Sequence, residues 1–349
     1  MSGLKFFAGY PITPASDLME YLSERLPKYG GVVFQAEDEL AAINAIIGAS
    51  WAGAKAMTAT SGPGLSLMAE SIGFAAMVEA PIVIVNNMRV GPSTGIATMP
   101  SQGDVFAARW NSHGPYPVVV YAPTSAQEAF DLTVKAFNTA EKLRVPVILL
   151  QDAALAHTRE TVVIREPPEI EIINRKKPDV PPERYKPFEP DPNDLVPPMA
   201  VYGEGYYVSA ESLVHDERGY YVTSNDVYRR LVSRLLKKLE VHIKAFARAN
   251  ADNPDFSAIL MREMASGGVN MPTRAREQMQ RILFLLNKTL ELGKSDNVFK
   301  AADPLIIHFM IVGTINLFVT SIPLRNSLPE TDQCNQMQNS DIESAAEQV

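Results

Sequence analysis

One cysteine in 349 residues, Cys334, excludes a disulfide framework, a four-cysteine zinc site and a self-contained iron–sulfur cluster. Histidines are also few: five, at positions 113, 157, 215, 242 and 308, with no HExxH or other paired-ligand spacing. Basic charge is in deficit. Lys and Arg number 32 against 40 Asp and Glu, a net charge of −8, which argues against nucleic acid or another polyanion as partner. Long apolar runs are missing. The longest, Pro304–Thr320, spans about 17 residues and carries His308 and Asn316, so a buried helix fits it better than a membrane span. Met1-Ser-Gly-Leu-Lys offers neither the charged start nor the apolar core of a signal peptide, and the expected location is the cytoplasm. Two familiar loops also fail. Gly62-Pro-Gly64 lacks the third glycine of a dinucleotide fingerprint, and Pro63 removes a donor that a phosphate would need. Gly91-Pro-Ser93-Thr-Gly95 satisfies GxSxG, but Met88-Arg-Val90 separates it from the preceding strand and Pro100 leaves no clean helix after it.

What is present can pack a core, with 46% hydrophobic and 21% charged residues. From Leu4 to Asp152, short β-type runs alternate with helical periods. The runs are Leu4–Phe7, Val32–Gln35, Ala56–Thr60, Pro81–Asn86, Val118–Tyr121 and Pro146–Gln151. The helical candidates are Ala15–Arg25, Glu37–Trp51, Gly64–Val78 and Ser125–Leu143. This alternation predicts an α/β domain over residues 1–160, built on a mostly parallel sheet covered on both faces.

Residues 161–222 differ. Ten of the 26 prolines fall between Pro167 and Pro198, each fixing φ and removing a donor, so an extended arm is expected. Regular structure is not expected there apart from short strands such as Glu169–Ile173 and Gly205–Val208. Tyr185, Phe188, Tyr202, Tyr206 and Tyr207 mark the arm as a segment that packs on something, a partner subunit being one candidate. Residues 223–326 read as helical, with helices near 224–250, 254–266, 272–292 and 303–322. Thr223–Asp226 opens the first as a capping box. Arg229, Arg230, Arg234, Lys237 and Lys238 are expected on its solvated face, and the polar tail 327–349 is expected to be disordered.

Four strand-to-helix loops gather polar residues at one expected sheet edge, where open α/β sheets bind ligands. They are Gly9–Ser16 with Thr13, Glu37-Asp-Glu39, Thr60–Gly64 with Ser61, and Asn86-Asn-Met-Arg89. For the acidic trio alone, a plain helix N-terminus is the simpler explanation, because carboxylates favour that end of the dipole. Four polar loops at one edge are more than that explanation needs.

These residues also carry a resemblance. Phe6-Phe-Ala-Gly-Tyr-Pro-Ile-Thr-Pro14, Gln35-Ala-Glu-Asp-Glu-Leu-Ala-Ala-Ile-Asn44 and Thr58-Ala-Thr-Ser-Gly-Pro-Gly-Leu-Ser-Leu-Met68 are similar to the alpha subunit of 2-oxoacid:ferredoxin oxidoreductases of the 2-oxoglutarate type. Gly91–Gly95, Gln102-Gly-Asp104, Val145–Ile148, Tyr185–Phe188, Pro197–Met199 and Val214–Gly219 continue it, so that it covers residues 3–240.

The resemblance implies a domain that holds the aminopyrimidine half of thiamine diphosphate. Glu39, or Glu37 as the fallback, would share a proton with the pyrimidine ring nitrogen and so help the amino group activate the thiazolium carbon. Thr13 and Ser61 are the further cofactor contacts it implies. Arg89 would grip the 2-oxoacid carboxylate bidentately, with Thr13, Thr94 and Thr98 as further polar contacts to substrate. The catalytic set is then Glu39, Thr13 and Arg89. No metal ligand is expected on this chain. Magnesium and the iron–sulfur cluster would belong to a beta subunit, through which ferredoxin would be reduced, with coenzyme A as acyl acceptor. The chain is expected in a homo- or hetero-oligomer.

From about residue 244 to 328, Phe246–Phe256, Leu260–Gly268, Pro272 and Asp303-Pro-Leu resemble instead the C-terminal domain of TetR-type regulators, which bind small ligands and dimerise through helices. The chain is therefore expected to be a truncated alpha subunit fused to a helical domain, by natural fusion or by joining of two reading frames. The competing expectation is a non-enzymatic module that binds a ligand and dimerises through its helical half.

Overall fold

The structure, a computed structural model, describes residues 2–165 and 169–251, with side chains as far as Leu239. Six strands, all parallel, form one sheet in the order β2-β1-β3-β4-β6-β5: β1 Phe6–Gly9, β2 Val32–Gln35, β3 Ala56–Thr60, β4 Ile82–Met88, β5 Val119–Tyr121 and β6 Pro146–Asp152. Successive residues point to opposite faces. Ile82, Ile84, Ile148 and Leu150 therefore face one layer, while Val83, Val85, Val147 and Leu149 face the other. The first layer holds α2 (Glu39–Trp51), α3 (Pro63–Leu67) and α4 (Ala69–Met77), through Ile43, Ile46, Trp51, Leu65 and Ile72. The second holds α1 (Ser16–Arg25) and α6 (Ala126–Leu143), the latter through Ala136, Phe137, Ala140 and Leu143. Burial on both faces explains why the central strands read as unbroken apolar runs. The expected α/β class with a parallel sheet is the one observed.

The differences have local causes. β1 starts two residues later than expected and runs through Ala8-Gly9, because it pairs residue for residue with Val32–Gln35. β4 continues through Asn86 and Asn87, amides that strands usually avoid, because both pair with β6, opposite Leu150 and Gln151. The expected helix Gly64–Val78 divides at Met68, whose N–H closes α3 onto the carbonyls of Gly64 and Ser66. Two short helices went unforeseen, α5 (Val105–Trp110) and α7 (Ala153–His157).

The arm corrects two expectations. No strand forms at 169–173 or 205–208. Around 171–175 side chains of the α/β domain meet the backbone in place of a neighbouring strand: Asn138 bonds Glu171 O at 2.7 Å and Ile173 N at 2.8 Å, and Lys55 donates to Ile173 O at 2.6 Å. The arm also packs on its own domain. Phe188 and Met199 join the core cluster around Trp51, and the buried Arg175 guanidinium meets Glu141 of α6 at 2.5 Å and Ser50 O at 2.5 Å.

The basic helix is corrected as well. α8 spans Asn225–Ala251, with Ser224 rather than Thr223 as cap; its hydroxyl accepts from Val227 N at 3.4 Å. Arg229, Arg230 and Lys237 are exposed as expected, whereas Arg234 and Lys238 are not. Arg234 donates to both carboxylate oxygens of the wholly buried Glu79, at 2.6 and 3.0 Å, and Lys238 Nζ lies 2.8 Å from one of them. Burial alone would raise the Glu79 pKa, but Arg234, Lys238 and then Arg144 hold the carboxyl far below the usual range. Burial in turn draws Lys238 down to about 8, with Glu79 opposing. Short hydrogen bonds from two cations fix Glu79 as a carboxylate.

By its contacts the chain divides into a unit Met1–Leu239 and a unit Glu240–Val349. The helices expected at 254–266, 272–292 and 303–322, the apolar run within the last of them and the tail 327–349 lie outside the described residues. Among the described residues, no helix is long and apolar enough to cross a membrane.

Candidate active site

Because every strand is parallel, the loops that follow β1, β2, β3, β4 and β6 leave the sheet at one edge. The chain turns from β1 to β2 on one side and places β3 on the other. This reversal is the kind of switch point at which open sheets bind ligands. The Thr13 and Ser61 loops flank it, so the edge expected from the sequence is assembled.

After β2, Asp38 caps α2 by accepting from Ala41 N at 2.7 Å, and Glu39 becomes the first residue of the helix. Glu39 is only 7% exposed, whereas Glu37 is exposed. No hydrogen bond or ion pair from the described residues engages the Glu39 carboxylate. Its wall is made by Gly64: a Cβ there would lie 2.8 Å from Glu39 Oε1 and 2.0 Å from Thr60 Oγ1. Only a residue without a side chain lets α3 approach so closely. Thr60 Oγ1 is buried and has no partner.

Arg89 follows β4 and is 5% exposed. Its Nη1 donates to Thr13 O at 2.7 Å and its Nη2 to Thr94 O at 3.0 Å. Nε is buried and unpaired. A guanidinium has five N–H donors, so three remain for an anion after these two bonds. Gly62 (φ 37°) lies between this arginine and an acid: a Cβ on it would sit 3.9 Å from both Arg89 Nε and Asp104 Oδ2. Arg89, Gly62, Pro63, Ser66, Ser93 and Asp104 contribute to the wall of a cavity of about 680 Å³.

The fold thus brings Arg89, Thr13 and Thr94 together, the two threonines through their backbone carbonyls while their side chains are exposed. Ser61 is wholly buried, and its hydroxyl donates to Asn87 O at 2.6 Å. That bond ties the β3 loop to β4 and leaves the oxygen away from any open face. Thr98 is exposed and does not line the cavity. Sequence reasoning singled out none of Asn86, Asn87, Asp104, Thr60 or Gly64 individually. Asn86 donates to Asp104 at 2.9 Å, and Gln151 donates to Asn87. Two consecutive amides closing an apolar strand were the available signal. Leu67, which lines the cavity, is exposed; on α5, whose Ala107 also lines it, Phe106 is 79% exposed and Trp110 64%.

A parallel α/β domain with a buried carboxylate on one side of the β3 loop and a buried arginine on the other fits the family whose model covers it. Residues 1–232 match the family described as pyruvate flavodoxin/ferredoxin oxidoreductase, thiamine diphosphate-binding, and the chain belongs to that family. Among its relatives, the 2-oxoglutarate synthase subunit KorA of Methanocaldococcus jannaschii is 49% identical over 260 residues, covering 74% of this chain and 70% of the relative. The KorA subunit of Methanothermobacter thermautotrophicus is 50% identical over 242 residues, covering 69% and 64%. A solved structure of 2-oxoglutarate:ferredoxin oxidoreductase from Magnetococcus marinus, with 2-oxoglutarate, coenzyme A and succinyl-CoA bound, superposes with a TM-score of 0.67 at 40% identity. It covers 70% of this chain and 42% of that one. The chain thus spans about two thirds of the length of these KorA relatives. A second model, tetracyclin repressor-like C-terminal domain, matches residues 236–346, starting earlier than the expected 244 and inside α8.

Proposed function

We propose that this chain is the alpha-type subunit of a 2-oxoacid:ferredoxin oxidoreductase that acts on 2-oxoglutarate together with a beta subunit. The observation that carries the reading is the pairing of a buried, unpartnered carboxylate at Glu39 with a buried arginine at Arg89 across the β3 loop. The names of the KorA relatives and the bound molecules of the Magnetococcus marinus structure support the choice of 2-oxoglutarate and coenzyme A.

The residues fit thiamine diphosphate. Glu39 is a carboxyl group without a protein partner, walled by a glycine that a Cβ would fill, and it would hold the aminopyrimidine ring nitrogen. When bound, the cofactor supplies the nucleophilic carbon for attack on a 2-oxo group and accepts the electron pair left by decarboxylation. Glu39 holds or gives up a proton at its carboxyl oxygen as that chemistry proceeds. Arg89 directs its remaining N–H donors at the substrate carboxylate, and Thr13, which Arg89 already grips by its carbonyl, offers its exposed hydroxyl to the same end of the substrate. Thr94 and Thr98 lie on the neighbouring loop as outer contacts. Ser61 serves the cofactor end by fixing the β3 loop.

The beta subunit holds the magnesium, the diphosphate and the iron–sulfur cluster in this reading. A sequence with the single cysteine Cys334 cannot ligate a cluster that takes four. The exposed Phe106 and Trp110 beside the cavity give that subunit an apolar face to cover. Electrons pass to ferredoxin through it, and the acyl group passes to the thiol of coenzyme A. The alternative, a ligand-binding and dimerising module, rests on the regulator-like match at 236–346, most of which lies outside the described residues. Reconstitution with a cognate beta subunit tests the proposal. Reduction of ferredoxin that requires both 2-oxoglutarate and coenzyme A supports it, and an assembled complex without such reduction overturns it.

A further inference from the structure

We infer that Asn87 is a positioning residue for the substrate end of this site, holding the Thr13–Pro14 backbone where Arg89 can meet it. The inference rests on the functional reading above for its kinetic consequence, but its geometry stands independently.

Asn87 is the last residue but one of β4, and Arg89 follows the strand directly. Each takes one of two successive carbonyls of the β1 loop: Asn87 Nδ2 donates to Pro14 O at 3.1 Å, and Arg89 Nη1 to Thr13 O at 2.7 Å. The loop that presents the Thr13 hydroxyl is therefore pinned at two adjacent points by the end of β4 and the residue that follows it. Asn87 is 1% exposed, and Gln151, its register partner on β6, fixes which way the amide faces. Gln151 Nε2 donates to Asn87 Oδ1, so the donating end of Asn87 is left toward Pro14.

The same residue also secures the next loop. Its backbone carbonyl accepts from Ser61 Oγ at 2.6 Å, and the Ser61 loop continues into Gly62 beside Arg89 and Gly64 beside Glu39. Pro14, Ser61 and Gln151 thus tie Asn87 to the β1 loop, the β3 loop and β6 along the candidate edge. An amide needed only to fill the core would not require two oriented side-chain partners. Displacing a group that grips the substrate carboxylate weakens binding in ground and transition state alike, so the clamp has its consequence in KM although Asn87 itself is buried.

Asn87→Asp separates positioning from packing. It keeps the size of the side chain and the acceptor for Gln151, but turns an oxygen toward the Pro14 carbonyl in place of a donor. In the full chain assembled with the beta subunit, the KM for 2-oxoglutarate rises roughly 10-fold or more while kcat stays within about 3-fold. Gln151→Leu, which frees the amide to turn, shifts KM in the same direction by less. In the chain alone, amide hydrogen exchange across Tyr10–Asp17 quickens in both variants by more than across β3 and β4, while Asn87→Asp also lowers the melting temperature because its carboxyl is buried. An unchanged KM in Asn87→Asp overturns the inference, and so does exchange that quickens equally across β3, β4 and Tyr10–Asp17, as for plain loss of structure. If the wild-type complex turns over no 2-oxoacid, the functional reading fails. The exchange rates at Tyr10–Asp17 then decide the clamp, and unchanged rates overturn it.

Discussion

Replacing Glu79 with Gln removes the one negative charge from a buried group of cations. Arg234 bonds the carboxylate at 2.6 and 3.0 Å and Lys238 at 2.8 Å, while Arg144 donates to the Glu79 backbone carbonyl at 3.1 Å. Glutamine keeps the shape but leaves these cations buried without a counter-charge. Breaking a buried pair in this way costs about 3–5 kcal/mol. For a folded unit of 150–250 residues each kcal/mol lowers the melting temperature by about 2–4 °C, so a fall of about 6–20 °C is expected. Trp51 reports it: its ring is 1% exposed and packs against Phe188, with the Arg144 guanidinium 5.2 Å from its centroid. The pH dependence has a definite sign. An ordinary glutamate titrates near 4.5, and the folded carboxyl is held far lower. Its stabilisation is therefore complete above the unfolded value and is lost as pH falls toward the folded one, so that wild type and Glu79→Gln converge in acid. Thermal unfolding followed by tryptophan fluorescence at neutral and acidic pH measures both effects. A loss under about 1 kcal/mol at pH 7, or a gap that widens in acid, would refute the reasoning. Restoration of part of the loss by Glu79→Gln with Lys238→Met would strengthen it.

Two further predictions concern the site. Gly64→Ala places a Cβ 2.0 Å from Thr60 Oγ1 and 2.8 Å from Glu39 Oε1. Something must shift, at about 1–3 kcal/mol, and 2-oxoacid turnover by the assembled complex should fall roughly 10²-fold even where the chain still folds. Wild-type turnover would show that the Glu39 position is not needed. Arg89→Lys keeps the charge but cannot bridge the Thr13 and Thr94 carbonyls and still grip a carboxylate in bidentate fashion. We expect kcat/KM to fall by about 10–100-fold, most of it in KM, in steady-state assays of the complex. An unchanged KM would remove Arg89 from substrate binding.

How much was legible in the sequence depends on whether position or residue type carried the information. The sheet was legible because Ile82–Val85 and Val147–Leu150 are buried on both faces and bounded by loops, which leaves little choice of element. The end of β4 was not, since Asn86 and Asn87 look like loop residues until β6 pairs with them. Arg234 and Lys238 were misread by type. They occupy helix positions three and seven residues beyond Leu231, on the stripe that Leu231 and Leu235 bury, and the carboxylate that makes this tolerable is 155 residues away in sequence. The arm's prolines led to the expectation of extended chain. That side chains of its own domain would satisfy its backbone required knowing where Asn138, Lys55 and Glu141 lie. Among the site residues, the sequence does not show that Glu39 is buried against Gly64 while Glu37 faces solvent. For Ser61 the sequence located the loop, while its buried bond to Asn87 shows what the hydroxyl does.

The central claim is that Glu39 is the proton-handling carboxylate of a 2-oxoacid oxidoreductase subunit. The most direct measurement is 2-oxoglutarate-dependent ferredoxin reduction by the complex reconstituted with its beta subunit, comparing Glu39→Gln with Glu37→Gln. The account predicts a loss of roughly 10²-fold or more for Glu39→Gln, with assembly intact, and a rate near wild type for Glu37→Gln. Full activity in Glu39→Gln, or the loss falling on Glu37→Gln instead, would contradict it.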